Sequence, residues 1–491
     1  MLRRWCLVGF VFSQLACAGA EPNPASTEHK FSQGMLPVTT SSPQARRSFE
    51  RAMRRFEDYR LNDTLQDLRE AVKADPKFAQ AYILIAKISK DPSEQAAARR
   101  RAEKLAAAVS PGEALLIRWL ADAQKDNYLP AIAAMNDVLE MYPDDARLAF
   151  LAGDWLDLQG RYEQSKVVLE HALSLQPNYP AALNDLGYTY AYDSDFPKAF
   201  AAMDRYVALQ PDQPNPHDSY GEILRMAGKF DAALEQYRAS VRMDPNFGSE
   251  LGVADTLALM GKEQDARDEY ARAIVFAGSQ TDKIQFELQS ALTWIREGDR
   301  KQAEKALLEV AKHAHAAELC TLEAEAHRIL AMYEPDPKHA LRHIVAAQLA
   351  LQESHDMSAS DRDEELARVY RVQAVRAAEF GEMGIANQAT NQLESMLGKS
   401  RSRVTQLCYA SAVGAVFVAQ GKFSEAISHL EEDSSDPVSL RLLWRAYGNA
   451  GSNEQTQATA TRLAALNVPT VEQALVVPQF RASLVSQARQ P

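Results

Sequence analysis

The chain is short of cysteine, glycine, long apolar runs and positive charge, and each shortage closes off a class of protein. Four cysteines stand among 491 residues, and two of them, Cys6 and Cys17, fall within the first twenty positions. That leaves Cys320 and Cys408, which read as small buried hydrophobes and not as a disulfide framework. Twenty-one glycines are too few for a turn-dense all-β protein. The formal charge is −12, and loss of Arg3 and Arg4 with a leader would lower it by two more. Such a chain is a poor binder of nucleic acid or of an anionic bilayer. Arginines do cluster at Arg46, Arg47, Arg51, Arg54 and Arg55 and at Arg99, Arg100 and Arg101. They are interleaved with Glu50, Glu57 and Glu103 and read as solvated helix faces. No segment approaches the ~20 apolar residues that a membrane-spanning helix needs.

The first 22 residues, MLRRWCLVGFVFSQLACAGAEP, carry two arginines, a short apolar run and then small residues. This is the pattern of a secretory signal peptide, expected at 1–20. Two processing readings compete. Ala18-Gly19-Ala20 suits ordinary signal peptidase, whereas Gln14-Leu15-Ala16-Cys17 is similar to a bacterial lipobox, with the leucine one place nearer the cysteine than usual. On the second reading Cys17 is lipidated and tethers the protein to a membrane. Residues 21–43, rich in proline, serine and threonine without periodicity, are expected to form a flexible linker.

What is abundant is periodicity. Prolines recur 34 residues apart, at Pro143, Pro177, Pro211 and Pro245. Within three of these units Gly153, Gly187 and Gly221 fall at one register, Leu156, Tyr190 and Leu224 at a second, and Tyr162, Phe196 and Phe230 at a third. Small residues at Ser165, Ala199 and Ala233 complete the set. Two helices per unit account for all of this: small residues let paired helices approach, bulky ones fill the space beside them, and proline stands in the loop where a helix cannot continue.

The pattern resembles the tetratricopeptide repeat, most clearly in LGYTYAYDSDFPKAFAAMDRYVALQP and YGEILRMAGKFDAALEQYRASVRMDP. It extends upstream to a unit ending at Pro76, fades between about 316 and 400, and returns at Gly414, Phe417, Gly421, Phe423, Ala426 and Pro437. The resemblance implies an all-α fold, an α-solenoid of stacked antiparallel helix pairs forming a right-handed superhelix. The expected layout is a repeat array at 44–310, degenerate repeats at 311–467 and a C-terminal capping tail at 468–491. One continuous superhelix and a break near residue 310 are both open.

Catalytic signatures are absent. Gly398-Lys399-Ser400 ends like a phosphate-binding loop, but Leu393 occupies the position of its leading glycine. The Gly-Lys pairs at 228–229, 261–262 and 421–422 read as turns between paired helices. Histidines concentrate at His313, His315, His327, His339, His343 and His355. His339 and His343 share a helix face, and His327 with Glu323 has the same spacing, so a metal-binding or metal-dependent site is the alternative reading. No cofactor or bound metal is otherwise expected.

The resemblance also implies a working surface, since the first helix of each pair lines a concave groove that holds a peptide or partner helix. By register the groove residues are Asp154, Asp157, Asn184, Tyr188, Tyr192, Asp218, Glu222 and Arg225. Tyrosines offer flat amphipathic area and the carboxylates favour a basic or polar partner. The expectation is an exported, non-catalytic scaffold of the bacterial cell envelope that binds protein or peptide and not nucleic acid.

Overall fold

The registered prolines fall where one helix pair gives way to the next, in the loops that precede α7, α9, α11 and α13 (ranges below). The computed structural model describes residues 34–488 apart from 90, 126, 246, 278, 354–356, 358 and 399–401. The leader, Cys17, residues 21–33 of the expected linker, Lys399, Ser400 and His355 lie outside the described residues. No helix among the described residues is long and apolar enough to cross a membrane.

The chain divides into two compact units at Pro216/His217, not near residue 310. The N-terminal unit stacks five antiparallel pairs: α1 (Pro43–Glu57) with α2 (Leu61–Ala74), α3 (Ala79–Ile88) with α4 (Pro92–Leu105), α5 (Pro111–Ala123) with α6 (Tyr128–Met141), α7 (Ala146–Leu158) with α8 (Tyr162–Leu175), and α9 (Pro180–Tyr192) with α10 (Phe196–Leu209). Helix α11 (Pro214–Met226) runs across the division and leads to α12 (Phe230–Met243). The C-terminal unit continues with α13 (Glu250–Leu259) and α14 (Glu263–Val275), α15 (Gln280–Glu297) and α16 (Arg300–Ala316), α17 (Cys320–Tyr333) and α18 (Pro337–Glu353). It then adds α19 (Ala359–Glu379) and α20 (Met383–Leu397), α21 (Arg403–Ala419) and α22 (Phe423–Leu430), α23 (Pro437–Asn449) and α24 (Asn453–Ala464), and a last helix, α25 (Val471–Ala488). In each unit the first helices of successive pairs also touch one another, as α7 touches α9 and α17 touches α19, so they form an inner layer.

The small residues do what the register requires. A Cβ on Gly153 would stand 2.4 Å from Leu169 Cδ2, and Ser165 Oγ donates to Gly153 O at 3.0 Å, so α7 and α8 meet at backbone distance. Tyr237 on α12 is held between two glycines: a Cβ on Gly221 would lie 3.0 Å from its ring, and one on Gly252 of α13 only 2.2 Å. The Gly-Lys turns take a left-handed backbone, with φ of 74° at Gly228, 74° at Gly261 and 72° at Gly421. Where the repeat signature fades, after residue 316, the pairing persists in longer helices: α18, α19 and α20 have 17, 21 and 15 residues, against 13 in α9 and 14 in α10.

Both chain ends depart from the sequence expectation. Residues 36–40, expected within the flexible linker, are tied to the starts of three successive repeats. Leu36 N donates to Asp145 Oδ2 at 2.8 Å, Thr39 N and Oγ1 donate to the two Glu113 oxygens at 2.7 and 2.6 Å, and Thr40 Oγ1 donates to Asp75 Oδ2 at 2.5 Å. These carboxylates stand at helix starts and the loops before them, where the chain is rich in hydrogen-bonding demand. At the other end α25 does not merely cover the last pair. It packs against α15 and α17 as well as α23 and α24, with Val471, Ala474, Val476, Val477 and Phe480 buried in the same core as Ile295 and Ile329.

Candidate functional site

The expected groove residues are mostly engaged inside the array. In the N-terminal unit, Asp154 is 8% exposed and pairs with Lys87 Nζ at 2.8 Å. Asp157 is half-buried and accepts from Thr189 Oγ1 at 3.1 and 3.0 Å. Asn184 is buried, its Nδ2 donating to Asp185 Oδ1 at 3.3 Å. Tyr188 turns inward at 5% exposure, so it is a packing residue and not an exposed groove tyrosine. Its ring lies 6.3 Å from that of Tyr192, which is half-buried and 4.7 Å from Tyr162.

The first helix pair also reaches across to the fourth and fifth. Glu57 at the end of α1 accepts from Arg147 Nε at 2.6 Å and from Tyr179 Oη at 3.0 Å, and Phe56 packs on Phe150 with ring centroids 6.0 Å apart. Tyr59, in a left-handed turn position with φ of 58°, donates its hydroxyl to Asp185 and to Ala181 O. A tyrosine in that backbone region costs about 1–3 kcal/mol, which the long-range hydrogen bonds offset.

In the C-terminal unit, Asp218 accepts from Ser249 Oγ at 2.6 Å, and burial pushes its carboxyl up to about 6. Arg225 is 4% exposed, donates to Glu222 Oε1 at 3.0 Å, and stands 3.6 Å from Asp255 and over the Tyr237 ring. Asp218 and Arg225 thus tie α11 to the loop before α13 and to α13, and Glu222 pairs with Arg225 within α11.

The histidine-rich helices bring together one pair of rings. His327 Nδ1 and His343 Nδ1 are 3.2 Å apart with the rings stacked. His339 instead lies 3.8 Å from Asp336, and His315 takes Glu323 at 3.1 Å. The expected four-ligand set is therefore dispersed, and no group of three or more metal-capable side chains occurs among the described residues. Burial, with His343 alongside, pushes His327 down to about 4, and burial lowers His343 too. A histidine lowered in the fold binds its proton later than in the unfolded chain, so stability is lost as pH falls from about 6.5 toward 4. Urea titrations should show the C-terminal unit about 2 kcal/mol weaker at pH 4.5 than at pH 7.5 from this pair, after allowance for its partial exposure, and His327→Gln should flatten that dependence. An unchanged slope in the variant would remove the pair from the pH response.

The feature that residue-by-residue reading missed is the seat of α25. Glu472 Oε1 accepts from Arg328 Nη1 at 2.9 Å and from Arg371 Nη2 at 2.8 Å, and Arg371 Nη1 continues to Asp436 Oδ2 at 2.8 Å. Arg296 donates to Gln473 next to it. Burial alone would raise the Glu472 carboxyl, but Arg328 and Arg371 pull it below the ordinary range, to about 2. Glu472 is 144 residues from Arg328 and 101 from Arg371, and its sequence trace is an acidic residue opening an apolar run.

The family model for the tetratricopeptide repeat matches residues 146–179, which are α7, α8 and the loop up to Tyr179. The helix pairing and the glycine, aromatic and proline registers continue on either side of that match. Residues 146–179 are a tetratricopeptide repeat. This tetratricopeptide array is 22% identical over 152 residues to Protein O-mannosyl-transferase TMTC1 of Homo sapiens, a match covering 30% of this chain and 17% of that protein. Among solved structures it is similar to PilW, a type IV pilus biogenesis factor (18% identity, 47% of this chain and 93% of that one, TM-score 0.30). It is similar also to the APC/C hetero-tetramer Cut9-Hcn1 (17%, 82% and 76%, 0.39) and to a tetratricopeptide repeat protein from Parabacteroides merdae (12%, 55% and 93%, 0.35). At these scores the likenesses add no weight, and the assignment rests on the repeat register and the 146–179 match.

Proposed function

We propose that the chain is a non-catalytic scaffold of the bacterial cell envelope, exported by its leader or tethered through Cys17, that binds proteins or peptides on its repeat surface. The observation that supports this most is that both units already hold a segment of their own chain in the ways a repeat array holds a partner. Residues 36–40 lie extended across successive repeat starts, bound through backbone N–H groups and threonine hydroxyls. Helix α25 packs on α15, α17, α23 and α24, bound through buried apolar side chains and two arginines. The repeat-protein family gives the same expectation of a binding module. Tyr192, half-buried beside Tyr162 on the N-terminal unit, is the groove residue to probe, and Val167, 64% exposed on α8, is its control. Photo-crosslinking from residue 192 in the native host should trap a discrete protein that residue 167 does not. Equal patterns at the two positions, or none, would contradict partner binding at this face.

A further inference from the structure

The seat of α25 gathers charge at one end. Beneath this one helix stand three arginines, Arg296 from α15, Arg328 from α17 and Arg371 from α19. Arg328 and Arg371 are 5% and 7% exposed, and both donate to a single carboxylate oxygen of Glu472. Arg296 donates to the side chain of Gln473. Beyond this polar end the channel takes Val471, Ala474, Leu475 and Phe480, the last edge-on to Trp444 at 5.1 Å. Buried arginines that must be met by an acid are a recognition device more than a source of stability, since an apolar or mispaired occupant would leave them uncompensated.

The occupant is also a poor helix in its own right. Pro478 stands inside α25, where it gives up a backbone hydrogen bond and crowds the preceding turn. Its connection to α24 is the short segment 465–470, so its hold on the channel is helped by high effective concentration. A competing helix without an internal proline would start with an advantage in helix formation and lack only the tether.

We infer that this channel of the C-terminal unit is a binding site for an apolar partner helix that carries a carboxylate in its first turn, and that α25 occupies and closes the site in the intact chain. The inference rests on the scaffold reading and names the class of partner. In the bound state the partner's carboxylate takes the place of Glu472 between Arg328 and Arg371, and its aliphatic and aromatic side chains take the place of Val471, Leu475 and Phe480.

The test uses the full chain with a protease site placed in the 465–470 loop. After cutting, native mass spectrometry and fluorescence anisotropy follow exchange of the cut helix for a labelled peptide of residues 470–488. The cut helix should stay bound, exchange with the labelled peptide, and be competed about ten- to a hundred-fold less well by the Glu472→Gln peptide, as expected for losing hydrogen bonds to charged groups. A Ser486→Ala peptide, altered at an exposed position, should compete like the parent. Unfolding or aggregation on cutting, absence of exchange, or equal competition by Glu472→Gln would overturn the inference. None of those outcomes bears on crosslinking from Tyr192, so the scaffold reading stands or falls separately.

Discussion

Glu472→Leu is expected to lower the stability of the C-terminal unit by about 3–5 kcal/mol, because it leaves Arg328 and Arg371 buried without their shared counter-charge. Neighbouring acids do not make up the loss: Arg328 keeps Glu325 at 3.2 Å and Arg371 keeps Asp436 at 2.8 Å, but both pairs already exist in the parent. The size of the effect should depend on what is removed with it. Replacing Glu472, Arg328 and Arg371 together by apolar residues of similar volume should cost much less than Glu472→Leu alone, since no unpaired charge then remains. The acid dependence follows from the same contacts. Glu472 is held at about 2 in the fold against about 4.3 when unfolded, so its contribution is complete above the unfolded value and is lost as pH falls toward 2. Urea titration of the single and triple variants at neutral pH separates the two costs.

Gly252→Ala is expected to cost about 2–3 kcal/mol, at the upper end of what a single added methyl does in a packed core. The new Cβ would meet Tyr237 Cε1 at 2.2 Å, and the ring has nowhere to go, because Gly221 confines its other side and the side chain is 2% exposed. Relief requires α13 to move away from α12, which opens the contact between successive repeats. Gly384→Ala is the matched comparison. It lies near the start of α20 with nothing within 4 Å of the added atom, so it should be neutral or stabilising by up to about 1 kcal/mol through helix propensity. Thermal unfolding of both variants reads the contrast directly; a Gly252→Ala protein as stable as its parent would mean that Tyr237 is not clamped between the two helices.

The repeat was legible in the sequence because its determinants are local. Gly221, Ala233 and Tyr237 meet within one hairpin, so their spacing is fixed by helix geometry, and the prolines mark loops that must recur wherever the pairs do. Register also gives the face of a helix on which a side chain stands. It does not give what stands opposite. Asp154 and Asn184 are on the inner layer as expected, but Lys87 meets the first and Asp185 the second, and Tyr188 is turned into the packing. The same limit hid the seat of α25, where Glu472 meets Arg328 and Arg371 from two helices distant in sequence. Residues 36–40 misled for a different reason: their composition suits a flexible segment, and the carboxylates of Asp75, Glu113 and Asp145, distant in sequence, fix them together with Arg46.

The central claim is that each unit fills its own inner or edge surface with a segment of the same chain. Hydrogen–deuterium exchange on the intact protein tests it most directly. Amides of Leu36 and Thr39, and those of α25 from about 474 to 486, should be protected to nearly the same degree as the inner helices α7 and α17. Exchange of either segment within seconds, at the rate of an unfolded tail, would contradict the account.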